Sequence, residues 1–344
     1  MTRLLLLATI SALALSAQAW AGAYKQFREV TVSCTMGLTC GVEVAAKEQD
    51  ASIRSITFER RAGPGTPLDL VLSASGELGN ATVILSVDGK PVYSTLLPAL
   101  AYDPDFYRYR LAGGTETLTL LDAFRAGATA ELSLTGENSG RWTYALSGMV
   151  AGLIFVDEIQ GRLETPDALQ VKGDKASEPV MIRDITEIAD IPAAIRARFE
   201  DPDGECSFFE ESRFRYTGGF EAEVGDGYSL VGLPCADGGA YNQPYVFYAG
   251  SDADYSALPL PAMSEKGPTT TFEAWNIDWD HPKRVLTAFF KGRGIGDCGS
   301  WDKWELTAGP ALPVFVLLES RAKGDCDGDG AGGPEKWPAL WPVQ

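Results

Sequence analysis

The sequence predicts a mainly β protein with some helix: two β-rich, β-sandwich-like domains that carry a few short helices and are stapled by disulfides. Three observations lead to this fold class. Apolar and polar residues alternate in many short runs, 37 glycines and 20 prolines are scattered between those runs, and six cysteines follow the N-terminal apolar segment. Alternation with a period of two residues is typical of strands that bury one face, and scattered Gly and Pro residues mark tight turns.

Residues 1–21 are predicted to be a cleaved signal peptide. Arg3 precedes an apolar run, Leu4–Leu15, and small residues at Ala19 and Ala21 suit cleavage. The run is too short to span a bilayer, which takes about 20 apolar residues. Cleavage after either alanine leaves no cysteine at the new N terminus for a lipid. We therefore expect an exported protein without a membrane span or lipid anchor.

Length and charge divide the chain into two predicted domains, residues 24–172 and 173–344. About 320 mature residues exceed what one hydrophobic core usually organises. The first part carries 13 basic and 18 acidic residues and the second 15 and 29, so the net charges are −5 and −14. Such acidity argues against nucleic acid as a partner and favours cations or basic partners, although it can also serve solubility alone.

The first predicted domain is a β-sandwich patched by helices. Apolar residues at three- and four-residue spacings predict helices over Leu120–Ala128 and Leu146–Gln160. Six earlier runs alternate as strands do: REVTVSC, CGVEVAA, SIRSITFERR, LDLVLSAS, ATVILSVDG and KPVYSTLL.

The second predicted domain is acidic, rich in Trp and built of antiparallel strands. A loop rich in Gly, Asp, Lys and Pro, Gly161–Pro179, precedes it. A short helix is expected next, capped by Asp190 with Pro192 in its first turn. The predicted strands lie in aromatic and β-branched runs: CSFFEESRFRYTGGFEAEV, GYSLVGLPC, YVFYAG, KRVLTAFFKG, DKWELTAG and LPVFVLLESR.

The six cysteines are predicted to form disulfides. They are Cys34, Cys40, Cys206, Cys235, Cys298 and Cys326. Pairing in sequence order is the simplest of about 15 connectivities and keeps each bridge within one domain. Redox or metal chemistry is the alternative, but five residues separate the first pair, whereas oxidoreductases and zinc ribbons use the C-x-x-C spacing.

Several motifs together resemble a known family. They are FREVTVSC ahead of Cys40, RRAGPG (60–65), VDEIQGR (156–162), GLPCADGGAYN (232–242), KGRGIGDCG (291–299) and CDG (326–328). The chain resembles the bacterial envelope proteins of the domain of unknown function 1176 family, and its first half distantly resembles the invasion-associated locus B family. Val30 departs from the family pattern, which has Trp there. The resemblance implies a periplasmic, Gram-negative location, sequentially paired cysteines and a two-part β-rich architecture, but no activity.

An acidic loop near the C terminus is a candidate calcium site. Asp325, Asp327 and Asp329 alternate ahead of Gly330, like the opening of an EF-hand loop. The twelfth position is Lys336 where an EF-hand has Glu, so a solvated acidic turn is the alternative. Calcium is the single cofactor that the sequence suggests.

Clustered aromatic residues form the second candidate site. Six of the eight tryptophans lie in the last 70 residues. The ligand-binding candidates are Trp275, Trp279, Trp301, Trp304 and Tyr241, which have Asp278, Asp280 and Asp302 close by in sequence. Large rigid aromatic side chains can form a platform for sugar or peptide, but they can equally form a domain core.

Catalytic patterns are weak. His281 is the lone histidine, so neither a Ser-His-Asp triad nor a two-histidine metal site is indicated. The sequence favours a non-enzymatic periplasmic protein that binds an envelope component, glycan or protein. The alternatives are a hydrolase of envelope polymers that uses a carboxylate pair, and a calcium-stabilised structural protein.

Overall fold

The computed structural model describes residues 22–342 except 137, 179, 202, 208–210, 252–253 and 265. The predicted signal peptide, residues 1–21, lies outside the described residues. The described chain forms five sheets and four α-helices, which confirms the mainly β fold class. None of the described helices is both long and apolar enough to cross a bilayer.

The N-terminal half, residues 22–172, contains two antiparallel sheets in its described part. In chain order the strands are β1 (Tyr24–Phe27), β2 (Val30–Cys34), β3 (Cys40–Ala45), β4 (Ile53–Arg60), β5 (Leu68–Ala74), β6 (Thr82–Val87), β7 (Lys90–Leu96), β8 (Ala101–Asp103), β9 (Arg108–Leu111), β10 (Thr129–Thr135) and β11 (Gly140–Ala145). One sheet has the order β1-β2-β3-β4-β5-β9-β8 and the other the order β11-β10-β6-β7. Inward residues of both sheets form one buried apolar cluster.

Two helices pack on this half, close to their predicted positions. They are α1 (Thr115–Ala126) and α2 (Met149–Ile159). The first begins five residues earlier than predicted because the Thr117 hydroxyl donates to the Gly114 carbonyl (2.8 Å) and accepts from the Gly114 N–H (3.0 Å). These bonds stabilise the first turn.

The C-terminal half, residues 173–342, contains three sheets in its described part. In chain order the strands are β12 (Ile182–Ile185), β13 (Gly219–Gly225), β14 (Tyr228–Pro234), β15 (Pro244–Ser251), β16 (Asp254–Ala257), β17 (Leu260–Ser264), β18 (Gly267–Thr271), β19 (Glu273–Trp275), β20 (Ile277–Asp280), β21 (Val285–Lys291), β22 (Gly299–Thr307), β23 (Val314–Lys323) and β24 (Ala339–Trp341). One sheet runs β12-β13-β14-β15-β16 with β19 added to β15, a hairpin pairs β17 with β18, and the third sheet runs β20-β21-β22-β23-β24.

The helices of this half differ from the predictions. They are α3 (Ala193–Glu200) and α4 (Glu211–Thr217). Pro192, not Asp190, occupies the N-cap position of α3, and Asp190 ends a short 3-10 turn. Helix α4 lies in a run predicted as strand, so that prediction is wrong. The helical turn buries Phe214. The helix ends at Gly218 (φ 66°), whose N–H donates to the Phe214 carbonyl.

The Cys34–Cys40 loop joins the two halves. Met36, at the tip of this loop, is 4% exposed and lies in the core cluster of the C-terminal half beside Ile182 and Phe220. Asp184 of β12 accepts hydrogen bonds from the Thr35 hydroxyl (2.8 Å) and from the backbone N–H of residue 37 (3.0 Å). A side chain on Gly37 would collide with the β12 backbone. The Cys34–Cys40 loop therefore inserts into the C-terminal half and packs closely against β12.

An ion-pair cluster forms a second contact between the halves. Arg215 of α4 contacts Asp103 (2.9 Å) and Asp105 (2.5 Å), which lie on and just after β8, and Glu187 (2.9 Å). Its guanidinium also lies over the ring of Phe106. The predicted boundary at residue 173 stays a prediction, since residues from both sides of it share these contacts.

Three disulfides are present and every cysteine is paired. Cys34 bonds to Cys40, Cys206 to Cys235 and Cys298 to Cys326. The sequential pairing is thus confirmed, and each bridge lies within one half. Disulfides persist in oxidising compartments, so the bonds agree with an exported protein.

Candidate functional site

A small pocket opens beside β19 and the β21–β22 pair. Its volume is about 40 Å³, and its lining residues are Ala262, Thr271, Glu273, Ala274, Trp275, Ala288, Phe290, Ser300, Asp302 and Trp304. Strand register places these residues together, because Ala288 pairs with Asp302 and Phe290 pairs with Ser300 across the sheet. Residues paired in this way point to the same face of a sheet.

Aromatic rings form two walls of the pocket. The rings of Trp275 and Phe290 meet edge to face, with centroids 5.5 Å apart and planes at 76°. Phe290 is 40% exposed, so this corner faces solvent. Trp304 is 2% exposed, and its indole N–H donates to the Pro261 carbonyl at 2.7 Å, which fastens the β17–β18 hairpin over the sheet. The Trp304 wall is therefore held in place by both β22 and the β17–β18 hairpin.

Two carboxylates also line the pocket. Burial raises the pKa of Asp302, although a hydrogen bond from the Ser320 side chain opposes this rise. Ser320 itself is 2% exposed on the neighbouring strand β23. Glu273 lies at the start of β19 and is exposed. None of the ten lining residues is Lys, Arg or His, so the pocket supplies negative charge without a cation of its own.

The structure brings two of the five aromatic candidates, Trp275 and Trp304, into this pocket. Trp279 is 3% exposed and stacks on Phe220 in the core, with centroids 5.8 Å apart. Trp301 lies on the opposite face of the sheet, since its neighbour in the strand, Asp302, points into the pocket.

The fifth candidate, Tyr241, lies on a separate loop. It is 40% exposed and packs beside Gly294 of the glycine-rich loop that precedes Cys298. The Tyr241 carbonyl accepts a hydrogen bond from the Asn276 side chain at 3.2 Å. Sequence reasoning missed Phe290 and Glu273 as pocket residues; only the strand register could have found them.

A second cavity, of about 130 Å³, is lined by Leu258, Pro259, Pro261, Thr270, Val314 and Phe315. Thr270 alone brings a polar side chain to this lining. A ligand site normally adds a few placed polar groups that fix orientation. The smaller pocket has them, and we therefore take it as the candidate functional site.

The acidic loop is organised by a lysine. The Lys323 ammonium donates to the Asp327 carboxylate (2.6 Å), the Asp325 carbonyl (2.6 Å) and the Asp297 carbonyl (3.1 Å). The hydrogen bond from Lys323 is the largest cause of the lowered pKa of Asp327. Asp329 accepts from the Ala331 N–H at 2.8 Å. The protein's own cation thus lies in the loop.

Within the described residues, no group of three or more His, Cys, Asp or Glu side chains is arranged to hold a metal ion. Calcium binding by Asp325, Asp327 and Asp329 stays a prediction.

The motifs RRAGPG and VDEIQGR meet in a buried polar network. Arg60 donates to Asp157 (2.8 Å) and to the Gln160 side chain (2.8 Å), and these three side chains are at most 2% exposed. Asp157 also accepts from the N–H groups of Leu169 (2.9 Å) and Gln170 (2.9 Å). Every oxygen of Asp157 has a partner, so this network holds α2 to the following loop.

His281 lies apart from the pocket lining. Its pKa is lowered, first by burial and then by the positive charge of Arg284. Its Nδ1 atom and the indole N–H of Trp279 are buried and have no hydrogen-bond partner among the described residues. Among the described residues, the buried Nδ1 atom of His281 has no carboxylate or hydroxyl partner.

Comparison with known proteins gives a family match, one similar curated protein and one similar solved structure. The family model described as "Protein of unknown function (DUF1176)" matches residues 24–344. The uncharacterized protein YpfG of Escherichia coli (strain K12) is 25% identical over 354 residues, covering 94% of each chain. The crystal structure of invasion associated protein B from Bartonella henselae is 15% identical, covers 41% of this chain and 99% of its own, and has a TM-score of 0.31.

Proposed function

Because the chain belongs to the DUF1176 family, as its motifs predicted, and the family description assigns no activity, we propose a function from the pocket. The protein is a non-enzymatic binding protein, exported to the periplasm, that captures an envelope component through the Trp275–Phe290–Asp302 pocket. The main support for this proposal is the environment of the Asp302 carboxyl. Burial raises its pKa, the rings of Trp275 and Phe290 lie in the same pocket, and the lining contains no basic residue.

Three features support the binding reading. The pocket is concave and partly apolar, and it holds a few convergent polar groups, as ligand sites do. Three disulfides agree with an oxidising compartment. The negative charge of the C-terminal half suits a basic or cationic ligand.

A hydrolase is the second candidate, because Glu273 and Asp302 line one pocket and glycosidases need two carboxylates. The volume of about 40 Å³ argues against it, since hydrolysis requires the scissile bond to lie between both carboxylates, whereas binding can enclose the tip of a ligand alone.

The test is co-sedimentation of the mature protein with purified peptidoglycan sacculi and, separately, with immobilised envelope proteins. Trp275→Ala is expected to abolish retention, because it removes one wall of the pocket. Trp341→Ala is the matched control, since this indole is 42% exposed on β24 away from the pocket lining. Equal loss in both variants, or none in either, would contradict the proposal. Release of soluble fragments from sacculi by wild type but not by Asp302→Asn would support the hydrolase.

A further inference from the structure

Resting on this proposed function, we propose that the pocket binds a primary alkylammonium group, of the kind that ends a lysine side chain on a basic partner protein or peptide. The size of the pocket, the charge of its lining and the arrangement of its aromatic rings all favour such a group.

Size restricts the group that enters. The pocket volume is about 40 Å³, and on the same measure a cavity needs about 10–15 Å³ to hold one water molecule. An ammonium group is close to water in size and fits. A sugar ring does not fit inside, so the pocket can enclose only the tip of a larger ligand.

Charge selects a cation. Glu273 and Asp302 both line the pocket, and the lining contains no Lys, Arg or His to neutralise them. A bound anion would meet only like charge. The whole chain carries a net charge of −18 and therefore attracts cations over long range.

A metal ion fits less well than an organic cation. Ca²⁺ takes six to eight oxygen ligands, mostly from carboxylates and carbonyls, and only two of the ten lining residues carry a carboxylate. No group of three or more metal-ligating side chains occurs in the part of the chain that the structure describes. An ammonium needs fewer partners, since it donates three hydrogen bonds.

The rings add a second source of cation binding. Trp275 and Phe290 meet at 76°, so their faces form two sides of a corner. A cation within about 6 Å of an aromatic face is attracted by the ring quadrupole, most strongly for Trp. The bound ammonium carries an apolar alkyl chain, which leaves the pocket along the exposed Phe290 ring.

The neighbouring hydroxyls add acceptors for the three N–H donors of the ammonium. Ser300 and Thr271 line the pocket with Asp302. The Thr271 hydroxyl already accepts from the Glu273 N–H at 3.1 Å and donates to the Glu273 carbonyl at 3.2 Å, and its second lone pair stays open to a ligand. All of these oxygens can accept from N–H groups. A quaternary ammonium donates no hydrogen bond, and both it and a guanidinium are larger than a primary ammonium; both are expected to bind more weakly.

The experiment is an NMR titration of the mature, oxidised full-length protein with Nα-acetyl-L-lysine N-methylamide. The indole N–H signal of Trp275, assigned with Trp275→Phe, reports on the pocket. We expect a saturable shift with a dissociation constant on the order of millimolar, as for a single small group. The neutral probe Nα-acetyl-L-norleucine N-methylamide is expected to bind at least tenfold more weakly.

Two variants distinguish binding in the pocket from nonspecific attraction of the cation to the acidic surface. Asp302→Asn is expected to weaken lysine-amide binding at least tenfold while the dispersed indole signals show an intact fold. Asp280→Asn is the matched control and should bind like wild type, because Asp280 pairs with Lys283 (2.6 Å) and lies outside the pocket lining.

The outcomes are decisive in each direction. Absence of a shift, equal binding of the norleucine probe, or undiminished binding by Asp302→Asn would overturn the ammonium assignment. Trp275-dependent retention of sacculi or envelope proteins without lysine-amide binding would leave the binding function standing and remove only the ligand class. Lysine-amide binding without any Trp275-dependent retention would remove those envelope partners instead.

Discussion

Two carboxylates in the two halves of the molecule have opposite environments. Asp157 is fully buried in the N-terminal half and has Arg60 as a counter-ion at 2.8 Å, together with two backbone N–H donors. Asp302 in the C-terminal half is partly buried and has a hydrogen bond from Ser320, but no basic residue lines its pocket.

The difference separates a structural role from a binding role. Buried charges are stable when the protein itself pairs and hydrogen-bonds them, as it does for Asp157. Burial of Asp302 without such a counter-ion raises its pKa, and a cation from outside can supply what the protein omits. Four predictions test or extend this contrast, in order of decreasing effect.

The largest expected effect comes from breaking the buried pair. Asp157→Ala leaves the Arg60 guanidinium uncompensated, so the free energy of unfolding should fall by about 3–5 kcal/mol. Urea unfolding followed by circular dichroism measures it. The control is Asp122→Ala, because Asp122 is 64% exposed in its pair with Arg125 and should change stability by less than about 1 kcal/mol. Equal effects of the two variants would show that Asp157 is not structural.

The next largest effect is expected at the Cys34–Cys40 loop, which inserts into the C-terminal half. Met36→Ala should lower the free energy of unfolding by about 2–5 kcal/mol, because it leaves a cavity in the core of the C-terminal half. Met181→Ala is the matched control, since this residue is 54% exposed. Tryptophan fluorescence during urea unfolding reports mainly on the C-terminal half, which holds six of the seven tryptophans in residues 22–342. If Met36→Ala left the tryptophan transition unchanged, the Cys34–Cys40 loop would not stabilise the C-terminal core.

A smaller, pH-dependent effect is expected at Asp302. Its folded pKa lies above the ordinary value of 3.8, so the folded protein holds this proton to higher pH than the unfolded chain does. Stability from the neutral carboxyl is present below the unfolded pKa and is lost as pH rises through the folded pKa.

Asp302→Asn removes this loss. Its stability relative to wild type should therefore increase as pH rises from about 4 and level off above the folded pKa. Ser320→Ala removes the hydrogen bond that favours the ionised form and should extend the loss to higher pH. Thermal unfolding across pH measures all three proteins, and a pH-independent difference between Asp302→Asn and wild type would contradict the raised pKa.

The smallest expected effect is calcium stabilisation of the acidic loop. Lys323 already contributes a positive charge there, so calcium should raise the melting temperature of Lys323→Met more than that of wild type. Titration against EGTA, with magnesium as a control, measures it. Asp327→Ala in the Lys323→Met background should remove the rise. A Lys323→Met protein that does not respond to calcium would retire the calcium hypothesis.

Local patterns predicted half of the strands, β2–β7, β13–β15 and β21–β23, and three of the four described α-helices, because burial follows these patterns directly. The short strands β16–β20 and the pair β10 and β11 lie outside the predicted runs. In β2, Val30, Val32 and Cys34 are buried and the residues between them are partly exposed. Helix α4 was missed because its alternating charged and aromatic residues resemble a strand, and the packing of Phe214 decides the outcome.

The pocket could not be predicted from one segment because its walls come from five strands. Trp275 and Trp279 illustrate the limit. They would share a face on a continuous strand, but Asn276 (φ 46°) interrupts it. The Asn276 side chain donates to the Phe289 carbonyl (2.8 Å) and accepts from the Gln243 N–H (2.9 Å). One tryptophan therefore enters the pocket and the other enters the core.

The most direct test of the central claim is the pKa of Asp302, measured by carbon NMR of its carboxyl with and without saturating lysine amide. We expect a pKa above 3.8 in the free protein and a lower pKa when the ammonium is bound, because a nearby positive charge favours the ionised form. The same pKa in both states would show that the carboxyl does not meet the ligand and would contradict the account.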